Sequence, residues 1–303
     1  MKLLTEGMKG NEVIVLQRNL KLIPDGIFGP NTKKAVIRFQ LNAGITADGI
    51  VGNETWTLLL AKVGSDEAID EDTDASGQYY TTNYNQTIHR HYLPKGEYLE
   101  GPVSNEYIFI HHTAGWHNPY KTIDSWGRDN RGRIATEFVL GGQSIKGDNT
   151  DYDGVMVQAF PEGGQGWHLG KTGSGHMNKR SVAIELNNFG YLKNGKTYAN
   201  VTAHESQVCT LKAPFRGYTD WHNYSTKQIE ELEKWLKFVA ERDNIDLKEG
   251  LVKWIKEKGV EAFEFQEDAY YGKVKGLLTH TNVRKDKSDC YPHPDLIDML
   301  LSL

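Results

Sequence analysis

Two adjacent histidines, His111 and His112, follow a short β-branched and aromatic run at 108–110. Such a run predicts a buried strand, because these side chains fit a pleated surface. Successive side chains on a strand point to opposite faces, so the two histidines cannot both face one site. Imidazole serves as a metal ligand or as a general base. At most one of the two histidines therefore takes part directly in chemistry.

Further candidate partners for such a histidine lie far along the chain. His280 ends a short apolar run, Asp289 and Cys290 follow it by nine and ten residues, and Glu185 lies near the end of a predicted strand at 181–187. Two histidines with one carboxylate or thiolate and an open fourth position make a catalytic zinc site, whereas four protein ligands make a structural one. The set predicts a hydrolytic metal centre, with the third ligand open between Asp289 and Cys290.

An α/β domain must position these residues, because predicted strands are interspersed with helices. The helix at 226–243 is best supported, since Ser225 and Gln228 fit a capping box and apolar residues form one stripe. Segments 191–224 and 246–275 have weak periodicity and are interpreted as insertions. The other predicted elements are strands at 107–112, 134–141, 154–160 and 181–187, a strand or loop near 276–280, and a helix around 120–129.

The first sixty residues contain an internal repeat with a period of 23 residues, DGIFGPNT from Asp25 and DGIVGNET from Asp48. Asp-Gly followed by a second glycine is typical of a turn, because glycine adopts positive φ without steric cost. Apolar spacing between and around the turns predicts three helices. Candidate N-caps are Asn31 or Thr32 after the first turn and Asn53 or Thr55 after the second.

Composition changes along the chain predict a division into two domains of different length, joined by a linker. The segment 63–86 is acidic and poor in aliphatic residues, which is typical of a linker. We therefore predict a small three-helix domain at 1–62, an acidic linker at 63–86 and a second domain at 87–303. The fold class is an α/β domain with a central mixed sheet flanked by helices, plus the small N-terminal helical domain.

The overall charge excludes several classes of partner. The 303 residues carry a formal net charge of −5 with both signs interspersed, so we expect no nucleic-acid partner. We also expect no membrane partner, because no stretch approaches the ~18 apolar residues of a membrane helix.

Two cysteines allow at most one disulfide. The N-terminus lacks the ~7–15 apolar residues of a signal-peptide core, so we expect no signal peptide.

Two resemblances connect these patterns to known families. The stretches KGNEVIVLQRNL, PDGIFGPNTKKAVIRFQ and ADGIVGNETWTLL resemble the peptidoglycan-binding domain type 1, over about residues 5–60. The stretches YIFIHHTAG, ATEFVLGG, GWHLGKTG, NKRSVAIELNN, YSTKQIEEL and LLTHTNVRKDKSDCYP occur in the order seen in zinc-dependent N-acetylmuramoyl-L-alanine amidases of type 2, which include phage enzymes and are related to peptidoglycan recognition proteins. This second resemblance spans about 105–300, apart from the two insertions.

The amidase resemblance implies a set of zinc ligands. The first family ligand matches His111, which leaves His112 on the opposite face, and the second matches His280. The family uses either aspartate or cysteine as the third ligand, and KSDCYP offers both Asp289 and Cys290. We favour Asp289, because Lys287 then lies two residues ahead, at the offset of the family's catalytic lysine. Cys290 remains the alternative.

The same resemblance implies the catalytic groups and the substrate contact. Glu185 matches the carboxylate that activates the zinc-bound water and passes its proton to the leaving amine. Lys287 would stabilise the developing oxyanion. His168 matches a histidine at the edge of the family's cleft, where we expect it to contact the substrate, with Trp167 packed beneath it.

The implied function is that of a peptidoglycan hydrolase. It would cleave the amide between the lactyl group of N-acetylmuramic acid and L-alanine, with Zn²⁺ as cofactor and bacterial peptidoglycan as substrate and partner. The alternatives are a non-catalytic peptidoglycan-recognition protein and a zinc peptidase acting within the stem peptide. We expect a monomer that is made in the cytoplasm and reaches the cell wall after phage-type release or by non-classical export.

Overall fold

A computed structural model describes residues 3–20, 22, 26–63, 79–101, 103–130 and 132–303. The chain divides into two compact units, 1–75 and 76–303, each of which is described by itself. Residues 64–78, which make up most of the predicted acidic linker, lie outside the described residues. Within the described ranges, none of the helices combines the length and apolarity needed to cross a bilayer.

The first unit is a three-helix domain, as its periodicity predicted. Its helices are α1 (Asn11–Asn19), α2 (Pro30–Asn42) and α3 (Asn53–Val63). They enclose a small core in which Phe28 and Trp56 are the largest side chains. The remaining buried members of that core are Leu4, Val13, Leu16, Val36, Val51 and Leu59.

Each repeated turn is fastened to the preceding helix by a buried glutamine. In the first copy, the Gln17 side chain donates to the Thr32 hydroxyl at 3.0 Å and accepts from the Gly26 amide at 2.9 Å. In the second copy, Gln40 makes the equivalent bonds to Thr55 at 3.2 Å and Gly49 at 2.9 Å. The glutamines therefore satisfy turn groups that would otherwise be buried without partners.

The N-cap predictions for these helices were wrong in detail. Helix α2 begins at Pro30 and its N-cap is Gly29, with no side-chain cap. Helix α3 already includes Asn53. The threonines face inward to the glutamines rather than outward to the helix ends, so the repeat encodes a buried hydrogen bond and not a cap.

The second unit is built on a mixed seven-stranded sheet with helices on both faces. The strand order is β1-β2-β5-β4-β6-β3-β9. Its strands are β1 (Tyr79–Thr81), β2 (Thr87–Arg90), β3 (Tyr107–His112), β4 (Phe138–Leu140), β5 (Met156–Gln158), β6 (Ser181–Leu186) and β9 (Gly276–Thr279), and a separate antiparallel pair consists of β7 (Val208–Phe215) and β8 (Tyr218–His222). The predicted fold class is confirmed, although β4 and β5 are shorter than the predicted strands at 134–141 and 154–160.

Helices cover the two faces of this sheet unequally. They are α4 (Pro119–Trp126), α5 (Thr226–Asp243), α6 (Leu251–Lys258), α7 (Glu267–Tyr270), α8 (His280–Val283) and α9 (Pro294–Ser302). The main core lies between one sheet face, with Ile110 and Ile184, and helices α5, α6 and α9. The opposite face carries Phe109 and Ala183 in a smaller core. This thinner covering leaves room for a site at one edge.

Helix α5 has the predicted bounds, but only half of the predicted capping box. The Ser225 hydroxyl accepts from the Gln228 amide at 2.9 Å. The Gln228 side chain does not return this bond, because its amide group donates at 3.3 Å to the carbonyls of Leu140, the last residue of β4, and of Gly141. The glutamine thus ties the helix to the sheet instead of closing its own N-terminus.

Two regions of the second unit depart from the simple predicted pattern. The sheet begins at Tyr79, because β1 pairs antiparallel with β2 and places residues 79–86 within a structured hairpin, inside the segment predicted as linker. The supposed insertions contribute to the main core: Trp221 of the first and Phe263 of the second are fully buried. They are therefore structural parts of the domain.

Candidate metal centre

The carboxyl ends of three parallel strands bring the candidate residues to one edge of the sheet. Strand β3 pairs in parallel with both β6 and β9. His111 lies opposite Glu185 in register, and Ile110 lies opposite Thr279, so that His280 follows β9 beside His111. Neighbouring residues in register point to the same face. His111 and Glu185 therefore share one face and His112 the other.

His111, His280 and Asp289 form a compact group of three donor atoms. The His111 Nδ1 lies 3.1 Å from His280 Nδ1, and the Asp289 Oδ2 lies 3.1 Å from the former and 2.9 Å from the latter. All three residues offer atoms within 4.8 Å of one another. The structure thus brings together the three residues that the sequence singled out as first-choice ligands.

The donor set fits a zinc ion in chemistry and in spacing. Imidazole nitrogen and carboxylate oxygen are both zinc ligands, and three protein ligands are typical of a catalytic site that keeps one open position. Ligands at about 2.0–2.2 Å in a tetrahedron lie about 3.3 Å apart. The separations of 2.9–3.1 Å observed among His111, His280 and Asp289 are close to this value.

Cys290, the alternative third ligand, faces the opposite side of its segment. Its side chain is fully buried in the main core. The Tyr224 hydroxyl donates to its Sγ at 3.3 Å. Burial raises the pKa of the Cys290 thiol to about 12, which disfavours the thiolate that binds metals. The geometry therefore groups Asp289, and not Cys290, with the two histidines.

Charge and burial together set the pKa values of Asp289 and His111. Burial alone would raise the pKa of Asp289, but the neighbouring His280 and hydrogen bonds from both histidines hold it well below its ordinary value. Burial, together with His280, lowers the pKa of His111 to about 4. The site therefore presents an ionised carboxylate and a neutral imidazole, which are the protonation states that metal binding requires.

Glu185 is positioned as a partly buried carboxylate beside this group. Its Oε2 is inaccessible to solvent and has no hydrogen-bond partner among the described residues. Burial and the negative charge of Asp289 raise the pKa of Glu185 well above its ordinary value, while Lys287 acts in the opposite direction. A carboxylate with a raised pKa and a free oxygen is suited to accepting and releasing a proton.

A cavity of about 390 Å³ opens onto these residues. Its lining includes Glu185, His280, Lys287 and Asp289, together with Arg284. The carboxylates, imidazole and ammonium group therefore converge on one space that a substrate can enter. The remaining lining residues are His112, Thr113, Ala114, Trp126, Ile134, Ala135, Thr136, Trp167, His168, Leu169 and Gly170.

His168 lies between His111 of β3 and Ser181 at the start of β6. Its Nδ1 is 2.9 Å from the His111 Nε2, and its Nε2 is 2.8 Å from the Ser181 hydroxyl. Both ring nitrogens are thus engaged by protein groups, although the residue also borders the cavity. Trp167 was expected to pack beneath His168, but the rings beside His168 are those of His111, at 5.0 Å, and Phe109, at 5.6 Å, and Trp167 is 42% exposed.

Sequence reasoning missed Ser181, which holds the far side of His168. Ser181 begins β6 and lies four residues before Glu185, on the same face, so strand periodicity could have connected the two. Asn178 holds the segment that follows His168, accepting from the Leu169 amide at 2.9 Å and donating to the Gly170 carbonyl at 3.0 Å. No spacing signal marks this second contact.

Comparisons with known proteins match the chain to two families. Residues 101–292 match the N-acetylmuramoyl-L-alanine amidase family, and residues 9–59 match a peptidoglycan-binding domain family. Similar solved structures include LysCS, an endolysin amidase from Clostridium intestinale URNW (14% identity, 71% of this chain, 95% of that chain, TM-score 0.39). AmiD, an N-acetylmuramyl-L-alanine amidase from E. coli, shows 18% identity over 49% of this chain and 48% of that chain, with TM-score 0.31.

The N-terminal region has its own relative. The SleB N-terminal domain is 33% identical over 20% of this chain and 92% of that chain, with TM-score 0.20. The amidase match, in contrast, extends over most of the chain and includes every residue of the candidate metal centre. The chain therefore belongs to the N-acetylmuramoyl-L-alanine amidase family, as a peptidoglycan amidase with an N-terminal peptidoglycan-binding domain.

Proposed function

We propose that this chain is a zinc-dependent hydrolase of the amide between the lactyl group of N-acetylmuramic acid and L-alanine. His111, His280 and Asp289 would hold the zinc ion. The observation that supports this most strongly is the convergence of three donor atoms within 4.8 Å of one another. They lie at the edge of the sheet where β6 places Glu185 beside His111. This donor set is open at a fourth position, as hydrolytic zinc sites are.

Each group has a separate role in the proposed reaction. When bound, zinc supplies Lewis acidity that polarises an amide carbonyl and lowers the pKa of water towards about 7. Glu185, which lines the cavity, accepts a proton from the attacking water and delivers it to the leaving amine nitrogen of L-alanine. Lys287, which lines the same cavity, stabilises the negative charge that develops on the carbonyl oxygen.

We assign His168 to positioning rather than to substrate binding. Its hydrogen bond to His111 Nε2 orients the ring whose other nitrogen, Nδ1, faces the proposed metal position. The Ser181 hydroxyl holds the far side of His168 in turn. Partners of this kind commonly fix the tautomer and orientation of a metal-binding histidine.

The domain organisation supports action on an insoluble wall. We propose a wall-binding domain at 1–62, a linker, and a catalytic domain that extends to 303, with the protein acting on the wall after release. Tethering a binding domain to a catalyst raises the local concentration of substrate without any new contact at the active site. The substrate class is illustrated by AmiD, which is described with an anhydromuramyl peptide containing L-Ala, D-γ-Glu and L-Lys.

Mass spectrometry of digested peptidoglycan tests the proposal directly. Purified wall is incubated with the full chain, with chelator-treated protein, and with that protein after zinc is restored. We expect intact stem peptides with a free L-alanine amine, lost on chelation and recovered with zinc. Cleavage inside the stem peptide would indicate a peptidase instead, and an unchanged wall with zinc-loaded, folded protein would indicate a recognition protein.

A further inference from the structure

A second cleft lies next to the metal cavity and has a different chemical character. It has a volume of about 730 Å³ and shares Arg284 with the metal cavity. Two further cations, Lys171 and Lys285, line it, with Glu267 as its single carboxylate. In a chain with a net charge of −5, this is a local excess of positive charge. The rest of its lining consists of Phe265, Tyr270, Tyr271 and Val283.

The cleft has a preformed aromatic wall. Phe265 and Tyr270 lie 5.5 Å apart between ring centroids, and Tyr270 and Tyr271 lie 5.1 Å apart at nearly right angles. The Lys285 ammonium lies 4.6 Å from the centre of the Phe265 ring. Among the described residues, neither Lys171 nor Lys285 has an ion-pair partner, so both ammonium groups are available to a ligand.

The opposite side of the cleft is built by a close-packed glycine-containing loop. A Cβ at Gly173 would lie 2.6 Å from the Tyr270 ring, and one at Gly170 would lie 2.5 Å from the Arg284 guanidinium. The Arg284 Nη1 also donates to the Leu169 carbonyl at 2.9 Å, next to His168. The loop that contains Gly170 and Gly173 therefore packs against the cleft at one end and continues from His168 of the metal centre at the other.

We propose that this cleft binds the peptide side of the substrate by recognising a free carboxylate. The inference rests on the function proposed above, in which the scissile amide lies at the metal centre. On the sugar side of the scissile bond, the lactyl carboxyl group forms the amide and is no longer free. On the peptide side, the second residue is a glutamate linked through its γ-carboxyl group, and its α-carboxylate stays free. At about 3.3–3.6 Å per extended residue, this carboxylate lies roughly 7 Å from the scissile bond.

Arg284 is placed to meet that carboxylate first. It borders both cavities, although Asp286 engages one edge of its guanidinium at 2.7 Å. Lys171 and Lys285, which line the same cleft, would bind this carboxylate together with Arg284, while the tyrosine rings pack against the aliphatic parts of the peptide. The second insertion, which supplies the aromatic wall, thereby acquires a role in substrate selection.

Paired substrates and a charge-reversed variant test this proposal. Two soluble muramyl peptides are compared, one with free γ-linked glutamate and one with its α-carboxylate amidated. We expect the native protein to show a KM about tenfold lower for the free acid, as for a charge-assisted hydrogen bond, with similar kcat. In Lys171→Glu/Lys285→Glu the ratio of the two KM values should fall to near one.

A matched variant controls for the change in net charge. Lys212 and Lys248 are exposed and line neither cavity. Lys212→Glu/Lys248→Glu should therefore keep the tenfold ratio. Lys171→Glu alone, with an exposed side chain, should show an intermediate ratio and guards against misfolding of the double variant. Equal KM values for the two substrates in the native protein, or loss of the ratio in the control, would overturn the proposal.

A binding measurement separates failure of the cleft from failure of the proposed reaction. The tripeptide L-Ala-D-γ-Glu-L-Lys and its α-amide are titrated calorimetrically into the native protein and the double variant. A preference of about tenfold for the free acid, absent from the variant, supports the cleft even if no hydrolysis occurs. Equal affinities overturn the cleft assignment even if hydrolysis of the muramyl amide is confirmed.

Discussion

The two faces of β3 contain the same residue type in opposite roles. His111 and His112 are adjacent, both are at least 95% buried, and burial lowers the pKa of both to about 4. On one face, His111 meets His280, His168 and Asp289. On the other, the His112 Nδ1 lies 3.0 Å from the Tyr224 hydroxyl.

The two faces of β3 differ in whether the groups around each histidine could bind a cation together with it. The groups around His111 place nitrogen and oxygen atoms towards one another, as they would around a shared cation. The groups around His112 belong to an aromatic core, in which Tyr224 stacks on Tyr291 at 4.8 Å and Tyr291 on Trp221 at 4.6 Å. Burial and pKa therefore do not distinguish His111 from His112, whereas the convergence of donor atoms does.

Alanine at each histidine would break or confirm this contrast most strongly. We expect His111→Ala to lose zinc and to reduce hydrolysis by roughly 10³-fold or more, because several kcal/mol of transition-state stabilisation is lost with the metal. His112→Ala should keep zinc but lose about 2–4 kcal/mol of stability, from a cavity and the loss of the hydrogen bond to the Tyr224 hydroxyl. Elemental analysis, hydrolysis and urea unfolding give the three readouts. Stoichiometric zinc in His111→Ala would refute the assignment.

The same contrast predicts different results at two consecutive residues of the C-terminal segment. Asp289→Ala should weaken zinc binding by more than the roughly 10–100-fold typical of residues that only support a ligand. Cys290→Ala should bind zinc normally and lose about 1–2 kcal/mol of stability, because its side chain fills the core and accepts a hydrogen bond from Tyr224. Competition with a chromophoric chelator measures the affinity. The reverse pattern would make Cys290 the third ligand.

Glu185 lies on the His111 face and should affect turnover but not metal content. We expect Glu185→Gln to lower kcat by about 10²- to 10⁴-fold with zinc stoichiometry unchanged, because the amide cannot relay a proton. Steady-state kinetics on a soluble muramyl peptide and elemental analysis check this together. Near-native kcat in Glu185→Gln would assign the proton transfer to another group.

His168 should have a smaller effect that is transmitted through His111. His168→Phe keeps an aromatic ring but removes the hydrogen bond to His111, so zinc affinity should fall by about 10–100-fold. The visible spectrum of the cobalt-substituted protein should shift, which a purely structural role would not produce. Ser181→Ala, one bond further away, serves as the milder control. If His168→Phe raised KM alone, His168 would contact substrate, as the sequence predicted.

The smallest expected effect is a pH-dependent change in the stability of the metal-free protein. Since the pKa of Glu185 is raised in the folded state, its ionised form is destabilising once pH exceeds the unfolded value. Glu185→Gln should therefore be the more stable protein at neutral pH. The difference should shrink as pH falls through the folded pKa and vanish below the unfolded pKa. Thermal unfolding in chelator across this range would show it, and a pH-independent difference would contradict it.

Regular periodicity could be read from the sequence, whereas contacts between distant segments could not. Strand β3 and helix α5 have the predicted bounds, because an apolar run and an apolar stripe each mark a buried face. The domain match and the family rest on ordered motifs. The bond between His168 and His111 joins residues 57 apart and depends on side-chain rotation, for which one sequence gives no signal.

The hydrogen-bond partner of a polar side chain was also hard to predict where several partners compete for it. Thr32 and Gln228 both fit capping patterns, yet each binds a partner elsewhere in the fold. A side chain takes the partner that tertiary packing brings closest, and the same residues satisfy several local patterns equally well. The core contributions of Trp221 and Phe263 were missed for a related reason, since short elements in the two insertions show little periodicity.

The distance along the chain between the proposed metal ligands also affects when activity can appear. Asp289 follows His111 by 178 residues, and β9, which places His280, is the last strand to join the sheet in chain order. At about 5–20 residues per second, roughly 10–40 s of synthesis separate the first of these residues from the last. A nascent chain therefore contains the wall-binding domain long before it can assemble the hydrolytic centre.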